Sequence, residues 1–237
     1  MKIEGRNAVL EALKSGVTVD KLYIKQGSFD KVVQKIVDSA RNNNVPIKFV
    51  NIDTINNMSE TKQHQGVIAL TTEFKYSTVE DILAEKEVPF VLILDGIEDP
   101  HNLGSIIRVA DCMGVSGIII GKNRCCSVNE TVIKVSAGAT SYVKIAKVTN
   151  INTEIERLKE KNIWVYACEL GGEDITKSNL TGNIAIVIGS EGRGVSALTK
   201  KLCDGIVTIP QKGGVNSLNA SVATGIVLYE TMKQREK

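Results

Sequence analysis

Apolar residues along the first third of the chain recur at two spacings, the helical period and the alternation of a strand. Residues 5–15 carry apolar side chains at helical spacing, and so does the stretch that follows Ser28, the predicted cap of a second helix. The helical positions expected to face a core are Ala8, Val9, Ala12, Leu13, Val33, Ile36, Val37 and Ala40. A short helix at residues 52–58 and strands at residues 22–24, 46–50 and 66–71 complete the pattern. Residues 1–72 are therefore predicted to form a small α/β domain.

From residue 88 onward the pattern alternates strands with helices. We expect strands at residues 90–94, 117–120, 143–145, 163–168, 184–188 and 205–209, and helices at residues 105–113, 130–137, 153–161, 196–203 and 217–233. The runs 91–94 and 185–188 are apolar without interruption, which is typical of central strands in a parallel sheet that helices cover on both faces. Residues 88–237 are predicted to be an α/β domain with a parallel sheet. The weakly patterned segment 73–87, with a short helix around residues 79–83, is the predicted linker.

Composition narrows the class of protein without naming a partner. Of the 237 residues, 43% are hydrophobic and 24% are charged, which is the balance of a globular protein. The formal net charge is only +2 and aromatic residues make up 4%, which argues against a strongly basic nucleic-acid binder and against an aromatic base-stacking surface. Residues 1–76 hold 11 basic and 8 acidic side chains, a net charge of +3, whereas the rest carries −1. A nucleic-acid partner must therefore be inferred from particular sites.

The pattern indicates neither export, nor a membrane, nor a metal. No apolar run follows the charges at the amino terminus, so we expect no signal peptide, and no apolar stretch approaches the roughly 20 residues that span a bilayer. The five cysteines contain no C-x-x-C pair and only two histidines are present, so no metal site is predicted. Unpatterned thiols fit a protein of the reducing cytoplasm.

A loop after the strand at residues 90–94 contains the first group of residues suited to chemistry. Asn102 is the expected cap of the helix that follows, and Gly104 allows a close backbone approach. Arg108 is expected about one turn into that helix, directed toward the helix start where anions bind.

Two further loops follow predicted strands of the same sheet. Residues 189–194 contain three glycines around Glu191, and residues 209–221 end in Ser217 and Asn219, two residue types that begin helices. The loop 189–194 does not have the spacing of a dinucleotide-binding, phosphate-binding or serine-nucleophile motif. Since all three loops belong to one domain and follow its strands, we expect them to converge.

The three loops together resemble a known family. Residues 99–108 follow the pattern D-P-x-N-x-G-x-x-x-R, residues 189–194 follow G-x-E-x-x-G, and residues 217–221 follow S-L-N-x-S. Their order and spacing are similar to the three motifs of the SpoU (TrmH-like) branch of the SPOUT RNA methyltransferases. Residues 3–9 and 64–66 resemble the L30e-like substrate-binding domain of this branch, so the likeness extends over essentially the whole chain.

The resemblance implies an S-adenosylmethionine-dependent enzyme that methylates a ribose 2′-oxygen in structured RNA. The expected target is a guanosine in the peptidyl-transferase region of 23S ribosomal RNA, as naked RNA or in an assembly intermediate. The resemblance further implies a deep trefoil knot in the carboxyl-terminal sheet domain, a homodimer with residues of both subunits near each site, and no metal. By motif position the cofactor-binding residues are Gly189, Ile209 and Leu218.

The same resemblance assigns the catalytic site to Arg108, Asn102, Glu191, Ser217 and Asn219. A guanidinium group stays protonated and is a poor base. Arg108 is therefore expected to bind the phosphate next to the target or to stabilise a developing alkoxide, with the phosphate aiding proton loss. Glu191 is expected to order its loop or to hold Arg108, and Asn219 to fix the backbone. Ser217 has no neighbouring base that would make it a nucleophile.

The amino-terminal domain is expected to recognise folded RNA through shape and a few contacts. The candidate RNA-binding residues are Arg6, Asn7, Lys14, Lys62 and Gln63. Three other functions stay open from the sequence. The enzyme could instead methylate a tRNA ribose, or modify ribosomal RNA to give antibiotic resistance, and a non-catalytic RNA-binding or ribosome-assembly module is the alternative of another class.

Overall fold

The computed structural model describes residues 1–15, 17–28, 30–72, 74–214 and 217–236. Contacts divide the chain into two compact units. The first contains Met1–Lys75 and Ser127–Glu130, and the second contains Tyr76–Cys126 and Thr131–Lys237. Among the described residues no helix combines the length and the apolar character needed to cross a membrane.

The first unit is a four-stranded sheet with helices. Its elements are β1 (Lys2–Glu4), α1 (Arg6–Ser15), β2 (Thr18–Lys25), α2 (Lys31–Asn42), β3 (Ile47–Val50), α3 (Ile52–Met58) and β4 (Val67–Thr72). The strand order is β1-β4-β2-β3; β2 and β3 are parallel, and β4 runs antiparallel to β1 and β2. The small α/β character predicted for this part of the chain is confirmed.

Three details of the first unit differ from the sequence-based predictions. Helix α2 is capped by Asp30, whose carboxylate accepts the backbone N–H groups of Val32 and Val33, so the predicted cap at Ser28 is wrong. Ala8 lies on the exposed face of α1, whereas the other predicted core positions of the two helices are buried. The strand β1 was not predicted because three residues are too few to show a period.

The second unit contains a six-stranded sheet. Its elements, with α6 beginning at the boundary of the two units, are α4 (Val79–Leu83), β5 (Phe90–Asp95), α5 (Pro100–Cys112), β6 (Gly117–Gly121), α6 (Glu130–Val135), a 3-10 turn (Ala139–Ser141), β7 (Lys144–Val148), α7 (Ile151–Glu160), β8 (Trp164–Asp174), β9 (Ile184–Gly189), α8 (Ala197–Leu202), β10 (Gly205–Thr208) and α9 (Ala220–Arg235). The order is β10-β8-β9-β5-β6-β7 and every neighbouring pair is parallel. This confirms the predicted parallel α/β fold.

The centre of this sheet determines where the functional loops meet. Strands β5 and β9 are neighbours and buried along nearly their whole length, as their uninterrupted apolar runs predicted. The chain leaves β5 toward β6 and β7 on one side and later returns to β8 and β10 on the other. Asp95, the last residue of β5, pairs with Gly189, the last residue of β9. In parallel α/β sheets a crevice opens where the strand order reverses, so the loops after β5 and β9 lie beside it.

Helix α5 begins earlier than predicted. Its cap is Asp99, whose carboxylate accepts the N–H of Asn102 at 2.8 Å, and Pro100 is its first residue. The predicted cap at Asn102 is therefore wrong, because two capping residue types lie three positions apart and only one can begin the helix. Arg108 is the ninth residue of α5, about 12 Å along the axis from Pro100 rather than one turn in.

Gly104 has the role predicted for it, and the linker segment has more structure than its pattern indicated. A side chain at Gly104 would approach Val135 Cβ at 2.7 Å, so only glycine lets α5 pack against α6. In the segment 73–87, helix α4 is capped by Thr78 and buries Val79 and Ile82 in the core of the second unit. This half of the segment belongs to the fold of that unit.

Candidate active site

The three motif loops converge on one carboxylate. Glu191 Oε1 accepts hydrogen bonds from the side-chain amide of Asn102 at 3.1 Å, from the backbone N–H of Ala220 at 3.2 Å, and from the side-chain amide of Asn219. The Asn219 amide also donates to Asn102 Oδ1 at 2.9 Å. One residue from each loop is therefore in direct contact with the other two. We name Asn102, Glu191 and Asn219 the polar triad.

The start of helix α9 explains why the triad forms. Asn219 is the cap of α9, and its Oδ1 accepts the N–H groups of Ser221 at 2.9 Å and Val222 at 3.3 Å. The N–H of Ala220, in the first turn, has no acceptor within the helix and donates to Glu191 instead. A carboxylate at a helix amino terminus is also favoured by the helix dipole.

Arg108 and Ser217 lie outside the triad. Arg108 is exposed on α5, and within the described ranges it forms no hydrogen bond or ion pair and lines neither of the cavities near the triad. Within one chain Glu191 does not hold Arg108; its contacts among the described residues are with the two amides and the start of α9. Ser217 is exposed two residues before the α9 cap and does not itself begin the helix.

A cavity of about 350 Å³ lies beside the triad. The three predicted cofactor-binding residues, Gly189, Ile209 and Leu218, all line it, together with Ser217. We name it the cofactor cavity. Its volume falls in the range of roughly 300–1,000 Å³ that is usual for small-molecule sites.

The loop 189–194 forms one wall of this cavity through two close backbone approaches. A side chain at Gly189 would overlap the backbone of Gly194, and a side chain at Gly194 would overlap the carboxylate of Glu169. Glu169 Oε2 accepts the N–H of Val195 at 2.9 Å, and the N–H of Gly194 donates to the carbonyl of Ser190 at 2.9 Å. Gly189 and Gly194 are therefore required because the loop folds back on itself so closely that neither position has room for a side chain.

Sequence reasoning missed several residues of the cofactor cavity, two of them with side chains that bear on its chemistry. Cys168 and Glu169, from β8, line the cavity, and no motif or spacing marks them. Burial, with a smaller contribution from Glu169, raises the pKa of the Cys168 thiol to about 12. This thiol is protonated at neutral pH, so the cavity offers no thiolate nucleophile.

A larger cleft of about 880 Å³ adjoins the same triad. It lies at the carboxyl ends of β5, β6, β7 and β9, and we name it the outer cleft. Asn102 and Glu191 line it, and Glu191 also lines the cofactor cavity. The triad therefore stands at the boundary between the two spaces.

The candidate RNA-binding residues of the first unit are only partly grouped. Arg6 forms an ion pair with Asp30 at 2.7 Å, and Lys14 forms one with Glu11 at 3.0 Å. Asn7 and Gln63 line one pocket of about 390 Å³, and Lys62 is exposed on the loop beside it. Among the described residues, no group of three or more His, Cys, Asp or Glu side chains is arranged to hold a metal ion.

Comparison with protein families gives two matches that cover most of the chain. The model of the SpoU rRNA methylase family matches residues 89–229, and the model described as RNA 2′-O ribose methyltransferase substrate binding matches residues 2–77. A protein of Bacillus subtilis (strain 168), assigned to the TrmH family of tRNA/rRNA methyltransferases, is 40% identical over 98% of this chain and 94% of its own length.

Solved structures share the fold. An rRNA methyltransferase from Sinorhizobium meliloti, bound to AdoMet, has 26% identity and a TM-score of 0.62, covering 98% of this chain and 86% of the other. The SpoU methyltransferase AviRb from Streptomyces viridochromogenes, in complex with the cofactor AdoMet, has a TM-score of 0.63 at 22% identity over 99% of this chain and 90% of its own.

Proposed function

The chain belongs to the SpoU rRNA methylase family of S-adenosylmethionine-dependent RNA methyltransferases, and from this premise we propose that it methylates a ribose 2′-oxygen in structured RNA. The proposed target is a guanosine in the peptidyl-transferase region of 23S ribosomal RNA, and the proposed place of action is the cytoplasm. The observation that carries the proposal is the polar triad, which joins all three motifs at the boundary of the cofactor cavity and the outer cleft.

The cofactor cavity fits S-adenosylmethionine by its size and by its lining. Gly189, which has no room for a side chain, lines it together with the apolar residues Ile209 and Leu218. These three residues would hold the cofactor, which supplies a methyl group activated by its sulfonium centre. The deep trefoil knot in this part of the chain belongs to the same proposal.

The residues of the chain then position the RNA and stabilise charge. Asn102 and Asn219 are held by Glu191, so their amides have fixed directions before RNA binds. Arg108 binds the phosphate beside the target ribose or stabilises the alkoxide that develops there, because its guanidinium carries a permanent charge. The proton passes to an acceptor on the RNA, aided by that phosphate.

A homodimer is part of the proposal, and α9 supports it. The side chains of Val222, Ile226 and Tyr229 recur at helical spacing and remain 50%, 40% and 54% exposed, while the opposite face of the helix is buried. A helix that is apolar on both faces is usually buried on both. Helix α5, which carries the exposed Arg108, packs against α9, so a second copy on this face would bring its own groups near Arg108. The molar mass in solution tests this.

The proposed function is tested by transfer of a tritium-labelled methyl group to fragments of 23S ribosomal RNA, followed by mapping of the modified nucleotide. We expect Arg108→Lys to lose most turnover while its affinity for S-adenosylmethionine, measured by calorimetry, is kept. The control is Arg157→Lys, on the exposed face of α7, with unchanged turnover. Full activity of Arg108→Lys would contradict the role of the guanidinium.

Transcripts of tRNA form a second arm of the experiment, because the relatives are assigned to tRNA and rRNA methylation together. Methylation of a tRNA ribose in place of 23S RNA would favour that alternative. If the enzyme confers antibiotic resistance, methylation of the mapped 23S nucleotide should raise the drug tolerance of the cell. A protein that bound RNA but neither bound the cofactor nor methylated any RNA would be the non-catalytic module.

A further inference from the structure

The outer cleft is placed to receive the base of the nucleotide whose ribose is methylated. It shares Asn102 and Glu191 with the polar triad, and Ser190, Glu191, Arg193, Gly194 and Ala220 also line the cofactor cavity. The ribose must lie at this shared wall to be near both the cofactor and the triad. Since the base is attached to the carbon next to the one that carries the 2′-oxygen, it enters the larger space.

The charges of the outer cleft favour a base over a phosphate. Four carboxylates, those of Asp95, Glu98, Asp99 and Glu191, line the cleft against two arginines, Arg124 and Arg193. This excess of negative charge repels an RNA backbone. Carboxylates are good acceptors for the N–H groups at the edge of a base.

Only one of these carboxylates is without a protein donor in the described part of the chain. Asp95 accepts the N–H of Ser196, Asp99 caps α5, and Glu191 is held in the triad. Glu98 is exposed, and in the ranges that the structure describes its carboxylate forms no hydrogen bond or ion pair. It is therefore the carboxylate that is free to bind a ligand.

Arg124 is the arginine that belongs to the outer cleft alone. It lines the outer cleft but not the cofactor cavity, whereas Arg193 lines both. Its backbone is left-handed, with φ of 52°, and across residues 74–214 and the other described ranges its guanidinium has no partner. A guanidinium with two parallel N–H groups matches the O6 and N7 acceptors of guanine, which are adjacent on one edge of the base.

Resting on the proposed function, we infer that the outer cleft is the subsite for the target base and that Glu98 and Arg124 select guanine there. Guanine carries adjacent donors, N1–H and the 2-amino group, that one carboxylate can accept together, and acceptors O6 and N7 that one arginine can bind. Adenine, cytosine and uracil each lack at least one of these pairs.

Atomic changes in the substrate, matched to single residues, test this inference. The mapped nucleotide is replaced in a synthetic RNA fragment by inosine, which lacks the 2-amino group, or by 7-deazaguanosine, which lacks N7. We expect each change to lower the kcat/KM of the wild-type enzyme roughly tenfold, the effect of one good base contact. In Glu98→Gln the reduction in kcat/KM caused by inosine should be less than about twofold, while the reduction caused by 7-deazaguanosine stays roughly tenfold. In Arg124→Ala the reduction caused by 7-deazaguanosine should nearly disappear, while that caused by inosine stays.

Controls keep the readout specific. Glu160→Gln and Arg157→Ala, on α7 and outside both cavities, should keep both effects. The affinity of each variant for S-adenosylmethionine is measured by calorimetry. A value within about twofold of the wild-type value, a difference below about 0.5 kcal/mol, shows that the variant keeps a folded cofactor cavity.

The outcomes separate this inference from the function on which it rests. A wild-type enzyme indifferent to both analogues, variants that keep both effects, or a mapped nucleotide other than guanosine would overturn the inference while RNA methylation stands. If no RNA accepts a methyl group, the proposed function is overturned, and the inference with it.

Discussion

At the scale of single residues, Glu191 is the group on which the site depends. One of its oxygens accepts three hydrogen bonds, two from the amides of Asn102 and Asn219 and one from the first turn of α9. Hydrogen bonds to a charged acceptor are stronger than neutral ones, by roughly a factor of two. The carboxylate therefore orients two amides and a helix at once.

Replacement of Glu191 tests this. In Glu191→Ala three hydrogen bonds are lost, and we expect kcat/KM to fall roughly 100-fold. We also expect a loss of unfolding free energy of about 1 kcal/mol, a small value because the side chain is exposed. Glu191→Gln keeps a carbonyl oxygen without the charge, so its kcat/KM should lie between those of the wild type and Glu191→Ala. Steady-state kinetics and thermal unfolding measure both, with Glu160→Ala as the exposed control. An active Glu191→Ala enzyme would show that the triad is dispensable.

Glu4 predicts the acid sensitivity of the first unit. Its carboxylate accepts hydrogen bonds from Ser59, Glu60 and Thr61, the Thr61 hydroxyl contributing most, and these lower its pKa from 4.5 to about 2. Because the folded pKa lies below the unfolded one, the stabilisation is present above pH 4.5 and is lost as the pH falls toward 2.

The measurement is the melting temperature of the protein at several pH values between neutral pH and the acid range. On acidification the melting temperature of the wild-type protein should fall further than that of Glu4→Gln, because glutamine cannot titrate. Glu11→Gln, whose partner is the exposed Lys14, serves as the control and should follow the wild type. Equal losses in wild type and Glu4→Gln would contradict the assignment.

The family resemblance of the three motif loops named residues that the structure brings together, but not their contacts. It named the polar triad from positions within the motifs, and it named Gly189, Ile209 and Leu218 in or beside them, three of the residues that line the cofactor cavity. It placed Arg108 too close to the start of α5, because that start was assigned to Asn102 instead of Asp99. The sequence does not predict the role of Glu169, since its contact with Val195 depends on the order of the strands in the sheet.

At the scale of elements, periodicity predicted nearly all helices and strands of the second unit but not the ends of β8. This strand was expected to stop at residue 168 and continues to Asp174. Cys168 is the last residue paired with β9, and beyond it the strand pairs only with β10, with a register shift between Ile206 and Val207. Because this extension has only one neighbouring strand, it is partly exposed and carries polar residues. These residues interrupt the apolar run by which a buried strand is predicted.

The return of the chain at the loop 189–194 gives the prediction at this scale. In Gly189→Ala the new methyl group overlaps the backbone of Gly194, which cannot move without displacing the wall of the cofactor cavity. We expect at least a tenfold loss of affinity for S-adenosylmethionine, measured by calorimetry.

The matched control is Gly225→Ala in the middle of α9. A methyl group there would lie 3.9 Å from Val109, an ordinary contact, and alanine favours a helix over glycine by roughly 0.5–1 kcal/mol. Cofactor affinity should be unchanged and the melting temperature equal or higher. Normal cofactor binding by Gly189→Ala would mean that the loop does not form the cavity wall.

At the scale of the whole molecule, the charge balance bears on how RNA is found. The net charge is +2, and the +3 of residues 1–76 is partly used within the first unit, where Arg6 and Lys14 form ion pairs. Few cations are then left for phosphates, so non-specific binding should be weak and recognition should rest on RNA shape and placed contacts. Composition alone pointed away from RNA, and only the motifs reversed that interpretation.

Lys62 is the exposed cation that best fits a placed contact. The loop that carries it is fixed by Glu4, the Lys62 N–H donates to Ser59 Oγ at 2.9 Å, and its φ is 59°. We expect Lys62→Ala to weaken binding of the 23S fragment a fewfold and to reduce the slope of log affinity against log salt by about 1, since one phosphate contact is lost. Lys161→Ala, at the exposed end of α7, should change neither quantity. Filter binding across a salt series measures the slope, and an unchanged slope in Lys62→Ala would place the phosphate contacts elsewhere.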